Sequence, residues 1–108
     1  MSKFYVKQLP DETVGTESLL KHTTSRKLRS GFVSLEIGKS IDPHSTENFE
    51  EMIVVLSGFG ELVNEDDKED KIALEERSIA YVPPHTLHYI RNTGSDYLQY
   101  VYIVTAVE

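Results

Sequence analysis

The sequence predicts an all-β domain of sandwich or barrel type, and three observations carry that expectation. Short runs rich in Val, Ile, Leu, Tyr and Phe recur along the chain, punctuated by Gly, Pro, Asn and Asp. No segment of useful length shows the apolar period of a helix. The chain has 108 residues, 39% of them hydrophobic, which suits a single core of ordinary domain size. The expected organisation is therefore one domain over residues 1–108, with residues 1–30 a less regular N-terminal arm.

Taken in order, Phe4 to Leu9 is a candidate first strand, closed by Pro10. Ser18 to Arg29 mixes small polar residues with Lys and Arg without a period, so a short helix and an extended arm are both open. Gly31 to Ile37 is a better-formed strand, ended by Gly38. Met52 to Leu56 is the strongest, followed by Ser57-Gly58 and a run from Gly60 to Val63. Asn64 to Asp70 has the composition of a solvated hairpin tip. Counted as a calcium loop from Asn64, it places Glu75 at the last ligand position. Lys68 then falls where an acid belongs and Glu69 where glycine is needed, so a charged turn is the better account. Ile72 to Leu74, Ser78 to Val82, Leu87 to Arg91 and Tyr97 to Thr105 complete the series.

Two strands are more apolar than a sheet with one wet face requires. Ile53 and Val55 share a face with Glu51, while Met52, Val54 and Leu56 occupy the other. In Tyr97 to Thr105 both alternating sets are mainly apolar. Such strands need cover on both faces, and in so small a chain a second subunit is the expected cover, giving a homodimer. Ile79 and Tyr81 form one set and Ala80 and Val82 the other, with alternation alone giving no inward direction.

Composition narrows the partners. There is no cysteine, which excludes disulfides, thiolate metal sites and a cysteine nucleophile. The formal charge of −7 argues against a nucleic-acid partner, which usually needs a basic face. No apolar run spans a membrane, and the N-terminus lacks a signal peptide's apolar stretch, so a cytoplasmic location is expected.

Chemistry concentrates in two histidine neighbourhoods, Asp42-Pro43-His44 and Pro83-Pro84-His85-Thr86-Leu87-His88. With Glu51 they could bring two imidazoles and a carboxylate into one site. Three such ligands can hold a divalent transition metal. A lone carboxylate on an inward face is costly unless paired, protonated or metal-bound.

These residues resemble the two motifs of the cupin family, G-x5-H-x-H-x(3,4)-E-x6-G and G-x5-P-x-G-x2-H-x3-N. The first is met by Gly38, His44, Glu51 and Gly58, with Thr46 where the family usually has its second histidine. The second is met by Pro83, His88 and Asn92, with Arg77 and His85 in place of its two glycines. The resemblance implies an antiparallel double-stranded β-helix, a jelly-roll-like barrel, with His44, Glu51 and His88 at metal-ligand positions. The ion would be divalent iron, manganese, nickel or zinc; without cysteine, copper(I) is disfavoured.

Thr46 leaves two accounts open, because a threonine hydroxyl is a poor ligand for a divalent metal. Either the two-histidine, one-carboxylate set binds a metal and leaves a position for water or substrate, with Thr46 bonded to that water, or the barrel binds a ligand without metal. His85 is expected as a turn residue near the barrel mouth, with a pocket or replacement-ligand role as the alternative. His88 could instead be a satisfied core histidine and His44 a loop residue. His22 has no supporting partner and is assigned to the surface. Glu50 should face away from Glu51, and Asn92 should stabilise a turn. Similar proteins carry out dioxygenation, decarboxylation and isomerisation, so the functional expectation is a metal-binding cupin acting on a small polar organic molecule. The alternative is a metal-free, non-catalytic cupin binding a small ligand such as a sugar. Because bound imidazoles must be neutral, metal occupancy should fall as pH drops through roughly 6.

Overall fold

The computed structural model describes residues 2–10, 15–21 and 24–107; His22 lies outside them. Nine strands and no helix appear among the described residues: β1 (Gly15–Leu20), β2 (Arg29–Leu35), β3 (His44–Ser45), β4 (Phe49–Ser57), β5 (Gly60–Asn64), β6 (Asp67–Leu74), β7 (Ser78–Val82), β8 (Leu87–Asn92) and β9 (Leu98–Ala106). They form a five-stranded sheet in the order β1-β2-β9-β4-β7 and a four-stranded sheet in the order β3-β8-β5-β6. Every pairing is antiparallel. The fold is an all-β double-stranded β-helix.

The core lies between the sheets and follows from strict alternation. Ile53 and Val55 of β4, Leu98 and Tyr100 of β9, and Val33 and Leu35 of β2 point inward. The other sheet answers with Leu62, Leu74 and Ile90. Ala80 and Val82 are the inward pair of β7, which leaves Ile79 and Tyr81 68% and 57% exposed on the outer face. The choice of face is made by the register with β4, where Val82 sits opposite Glu51 and Ala80 opposite Ile53.

Two sequence expectations are corrected. Residues Phe4 to Leu9 are not a strand. Their backbone joins neither sheet, and Phe4 and Val6 remain almost fully exposed; the Tyr5 hydroxyl donates to the Thr24 carbonyl in the turn that follows β1. The first strand is instead Gly15–Leu20, whose polar residues gave no β signal because it is an edge strand with a largely wet surface. The described residues from Ser18 to Arg29 thus supply strand and turn, and no helix is found among them. The other departure is β3, two residues long and too short to show a period.

Backbone conformation explains the two positions that depart from the glycines of the second motif. Arg77 and His85 have φ of 61° and 56°, the left-handed region that glycine adopts without cost. The turns have kept the geometry of the motif while carrying side chains there. Asn92 staples the turn that follows β8, as its place before Thr93-Gly94 suggested. Its amide donates to the Leu35 and Asp96 carbonyls, and its side-chain oxygen accepts from Gly94 N–H.

Candidate metal centre

Three strands deliver the candidate ligands. Glu51 is the first inward position of the well-buried part of β4, on the face shared with Ile53 and Val55. His88 points inward from β8. His44 lies directly opposite His88 in the β3–β8 ladder, so residues 44 apart in sequence become a cross-strand pair. Their ring centroids are 4.5 Å apart at an interplanar angle of 54°.

The two imidazoles are oriented in the same way. His88 Nδ1–H donates to the Thr86 carbonyl at 2.9 Å, and His44 Nδ1–H to the Asp42 carbonyl at 3.2 Å. Each ring is thus tied to the backbone two residues before it, which frees Nε2 for the site. His88 Nε2 lies 3.0 Å from Glu51 Oε1. This pair is deeply buried, with side chains 2% and 7% exposed. Burial opposes charge on His88, but the hydrogen bonds to Glu51 and to the Thr86 carbonyl, with the Glu51 charge, outweigh it and raise the imidazole above its ordinary pKa.

The donor set fits a divalent ion. Ligand atoms of His44, Glu51 and His88 all lie within 4.8 Å of one another. Two atoms each about 2.1 Å from one ion stand at most about 4.2 Å apart, so a small closure brings all three into range. Two imidazoles and one carboxylate suit borderline divalent metals, and three protein ligands leave positions for other molecules.

Thr46 is buried and tied into the frame. Its hydroxyl donates to the Pro83 carbonyl at 2.7 Å and accepts from Thr86 N–H at 3.1 Å. Thr46 N–H in turn donates to the Thr86 carbonyl, the same oxygen that orients His88. The hydroxyl's single proton is thus committed to Pro83, and the residue braces the loop that holds His88. His85 is exposed; its N–H donates to the Glu47 carbonyl, and its ring is outside the three-residue group. Glu50 faces away and accepts from the Tyr81 hydroxyl at 2.9 Å.

His44, Thr46 and Glu51 border a cavity of about 390 Å³ that also touches Arg29, Phe49 and Tyr102. His88 lines a second cavity, of about 330 Å³. Tyr100 and Tyr102 line the first cavity. Burial and the nearby Glu51 charge raise the pKa of both phenols, so they stay protonated and offer donors. Tyr102 reaches the cavity because Gly31 lies beneath its ring: a Cβ there would be 2.5 Å from the hydroxyl. The sequence reading missed Arg29 as a cavity residue and Gly31 as the residue beneath Tyr102, since neither belongs to a motif and only strand order brings them there.

The model of the cupin domain matches residues 31–104, well over half of the chain. The chain belongs to the cupin family. No curated protein matches the sequence. Among solved structures, this cupin is similar to an RmlC-like cupin family protein of Methanocaldococcus jannaschii (24% identity, TM-score 0.76, covering 98% of this chain and 91% of that one). It is also similar to a predicted oxalate decarboxylase of Thermotoga maritima (20%, TM-score 0.74, 85% and 79%). The Cnp3 cupin domain of Schizosaccharomyces pombe is a third (17%, TM-score 0.73, 84% of this chain). The present cupin spans 63% of that chain's length. At such identities these likenesses establish the shared fold. No helix of the described residues is long and apolar enough to cross a membrane.

Proposed function

We propose that this cupin is a metal-dependent protein acting on a small polar organic molecule through a two-histidine, one-carboxylate site. The single observation that carries the reading is the convergence of His44, Glu51 and His88 within 4.8 Å beside a cavity of small-molecule size. When bound, a divalent ion of iron, manganese, nickel or zinc supplies Lewis acidity or redox capacity. Dioxygenase, decarboxylase and isomerase chemistries all suit that role.

The protein's own residues bind and orient. The tethered Nδ1–H groups hold both imidazoles in one tautomer, so ligation needs no tautomer exchange. Val33, Ile41, Phe49 and Val104 give the cavity apolar walls that exclude water from a bound molecule. The protonated hydroxyls of Tyr100 and Tyr102 offer hydrogen bonds to its oxygens. His85 and Thr46 stand outside the ligand set in this proposal, Thr46 as a brace for His88 and His85 at the exposed rim.

A specific observation favours the second reading, a metal-free cupin binding a small ligand such as a sugar. Glu51 and His88 satisfy each other, and no buried side-chain nitrogen or oxygen among the described residues lacks a partner. Elemental analysis of protein purified without chelator tests the two. The expected result is near-stoichiometric transition metal that falls sharply in His44→Ala and in His88→Ala. Trace metal that neither change alters would overturn the metal reading.

The outer face of the five-stranded sheet supports a homodimer. Val101, Val54 and Ile79 form one apolar row across three strands, with Ile103, Met52 and Tyr81 beside it. Met52, Leu56, Ile79 and Tyr81 are each more than a third exposed, the kind of contiguous apolar patch that marks an interface. Light scattering at micromolar concentration should give twice the 12.3 kDa chain mass; a monomer would count against the dimer.

A further inference from the structure

We infer that Arg29 reads the anionic end of the ligand, and that the molecule bound in this cavity is a small organic acid. The inference rests on the proposal that the ligand occupies the cavity beside His44 and Glu51, and it adds the substrate class. Register carries the argument. Arg29 of β2 sits opposite Val104 of β9, which sits opposite Glu51 of β4. Directly opposed residues in neighbouring strands present their side chains to the same face. Arg29, Val104 and Glu51 thus form one inward row, although Arg29 lies at the exposed end of its strand. With strands about 4.8 Å apart, the Arg29 and Glu51 backbones are about 10 Å apart across the cavity. A molecule of a few carbons held at the Glu51 end brings its far end to the Arg29 guanidinium.

Two further observations indicate that this cation is held for a ligand. Its guanidinium carbon lies 5.1 Å from the centre of the Phe49 ring, within the range of a cation–π contact. Phe49 is itself an inward residue of β4, two before Glu51, and its N–H donates to the Thr46 carbonyl. The ring is a platform for the guanidinium at the cavity. None of the ion pairs among the described residues involves Arg29, in a chain with 18 acidic and 11 basic side chains. Among the described residues, Arg29 and His44 are the basic side chains lining the cavity, with apolar walls, hydroxyl groups and the Glu51 carboxylate completing it. A planar fork of donors with no ion-paired carboxylate among the described residues matches a carboxylate in shape and charge.

The test uses succinate and its uncharged diamide, succinamide, as probes of matched length. Binding to the full chain is followed by calorimetry and by NMR shifts of the Tyr102 and Phe49 rings, with and without one equivalent of zinc. In Arg29→Gln the affinity for succinate should fall at least about tenfold, while succinamide binds the wild type and the variant alike. Arg29→Lys should recover part of the loss, because it keeps the charge without the fork. Zinc content and circular dichroism should be unchanged, since Arg29 is an exposed strand-end residue. Equal succinate affinity in wild type and Arg29→Gln would overturn the inference. So would an equal loss for succinamide, which would make Arg29 a packing residue, or no succinate binding by the wild type at millimolar concentration. Arg29-dependent succinate binding by protein that takes up no zinc would leave this inference standing and remove the metal reading. Stoichiometric zinc with Arg29-independent binding would do the reverse.

Discussion

The two histidines of the candidate centre face each other across one ladder, yet they are built for different tasks. His88 belongs to a six-residue strand, is 2% exposed, and shares its buried position with the Glu51 carboxylate. His44 belongs to a two-residue edge strand and is exposed. The first is part of the fold's internal accounts of charge, because neither His88 nor Glu51 can lose the other without leaving a polar group stranded in the core. The second is held by its Nδ1–H bond to the Asp42 carbonyl alone among the hydrogen bonds of its ring, and its contribution is confined to the site. A three-ligand centre assembled this way has a rigid half and an adjustable half. Closure from 4.8 Å to ligation distance therefore falls mainly on His44.

Single truncations at the two histidines should break this symmetry most clearly. His88→Ala strands the Glu51 carboxylate and is expected to cost about 3–5 kcal/mol of stability. His44→Ala should cost within about 0.5 kcal/mol, as an exposed substitution. Both changes should lower metal content. Urea unfolding of the metal-free proteins measures the contrast, and similar costs for the two variants would show that the buried and exposed halves are not energetically distinct.

Thr46 sharpens the same comparison at intermediate size. Thr46→Val keeps the shape and removes the hydroxyl that donates to Pro83 and accepts from Thr86 N–H. The expected loss is about 1–3 kcal/mol, with a weaker Nδ1 tether at His88 and an unchanged one at His44. NMR of the two ring Nδ1–H protons reads this directly: an altered His88 signal beside an unchanged His44 signal is expected. An unchanged His88 signal would remove Thr46 from the support of the centre.

The smallest effect is with pH. The His88 pKa is raised in the folded state, so the charged pair with Glu51 stabilises the metal-free protein fully below the ordinary imidazole value of about 6.5. That contribution is lost as pH climbs through the higher folded value. The thermal midpoint of metal-free protein should therefore decline across that window relative to His88→Gln. With zinc present the trend should oppose this, since ligation needs the neutral ring and grows more favourable with pH. Parallel pH profiles for wild type and His88→Gln would show that the Glu51 pair contributes no pH-dependent stability.

Much of the fold was legible from local chemistry. Alternation and punctuation located six of the nine strands and the end of a seventh, because those six bury one face and carry β-branched or aromatic residues there; β6 begins at Asp67, inside the stretch read as a hairpin tip, and buries Leu74 alone. The motif spacing brought out His44, Glu51 and His88 together, because a ligand set delivered to one site from facing sheets constrains the chain lengths between its members. Gly15–Leu20 and His44–Ser45 were missed for one reason. Both are edge segments whose structure comes from a neighbour's hydrogen bonds and not from their own side chains. Phe4 to Leu9 misled for the opposite reason: it has strand-forming residues and no partner to pair with.

The sequence by itself determined the β class, the cupin spacing and the chemical nature of the candidate ligands, since each depends on residue type and short-range separation. Tertiary structure decided which face of β7 turns inward, that His44 stands opposite His88, and that Thr46 braces a loop. It also placed Arg29, a residue of no motif, on the same row as Glu51. Alternation defines two faces of a strand but leaves their directions equivalent. Only the register between strands distant in the chain removes that equivalence, and it decides which side chains share the interior.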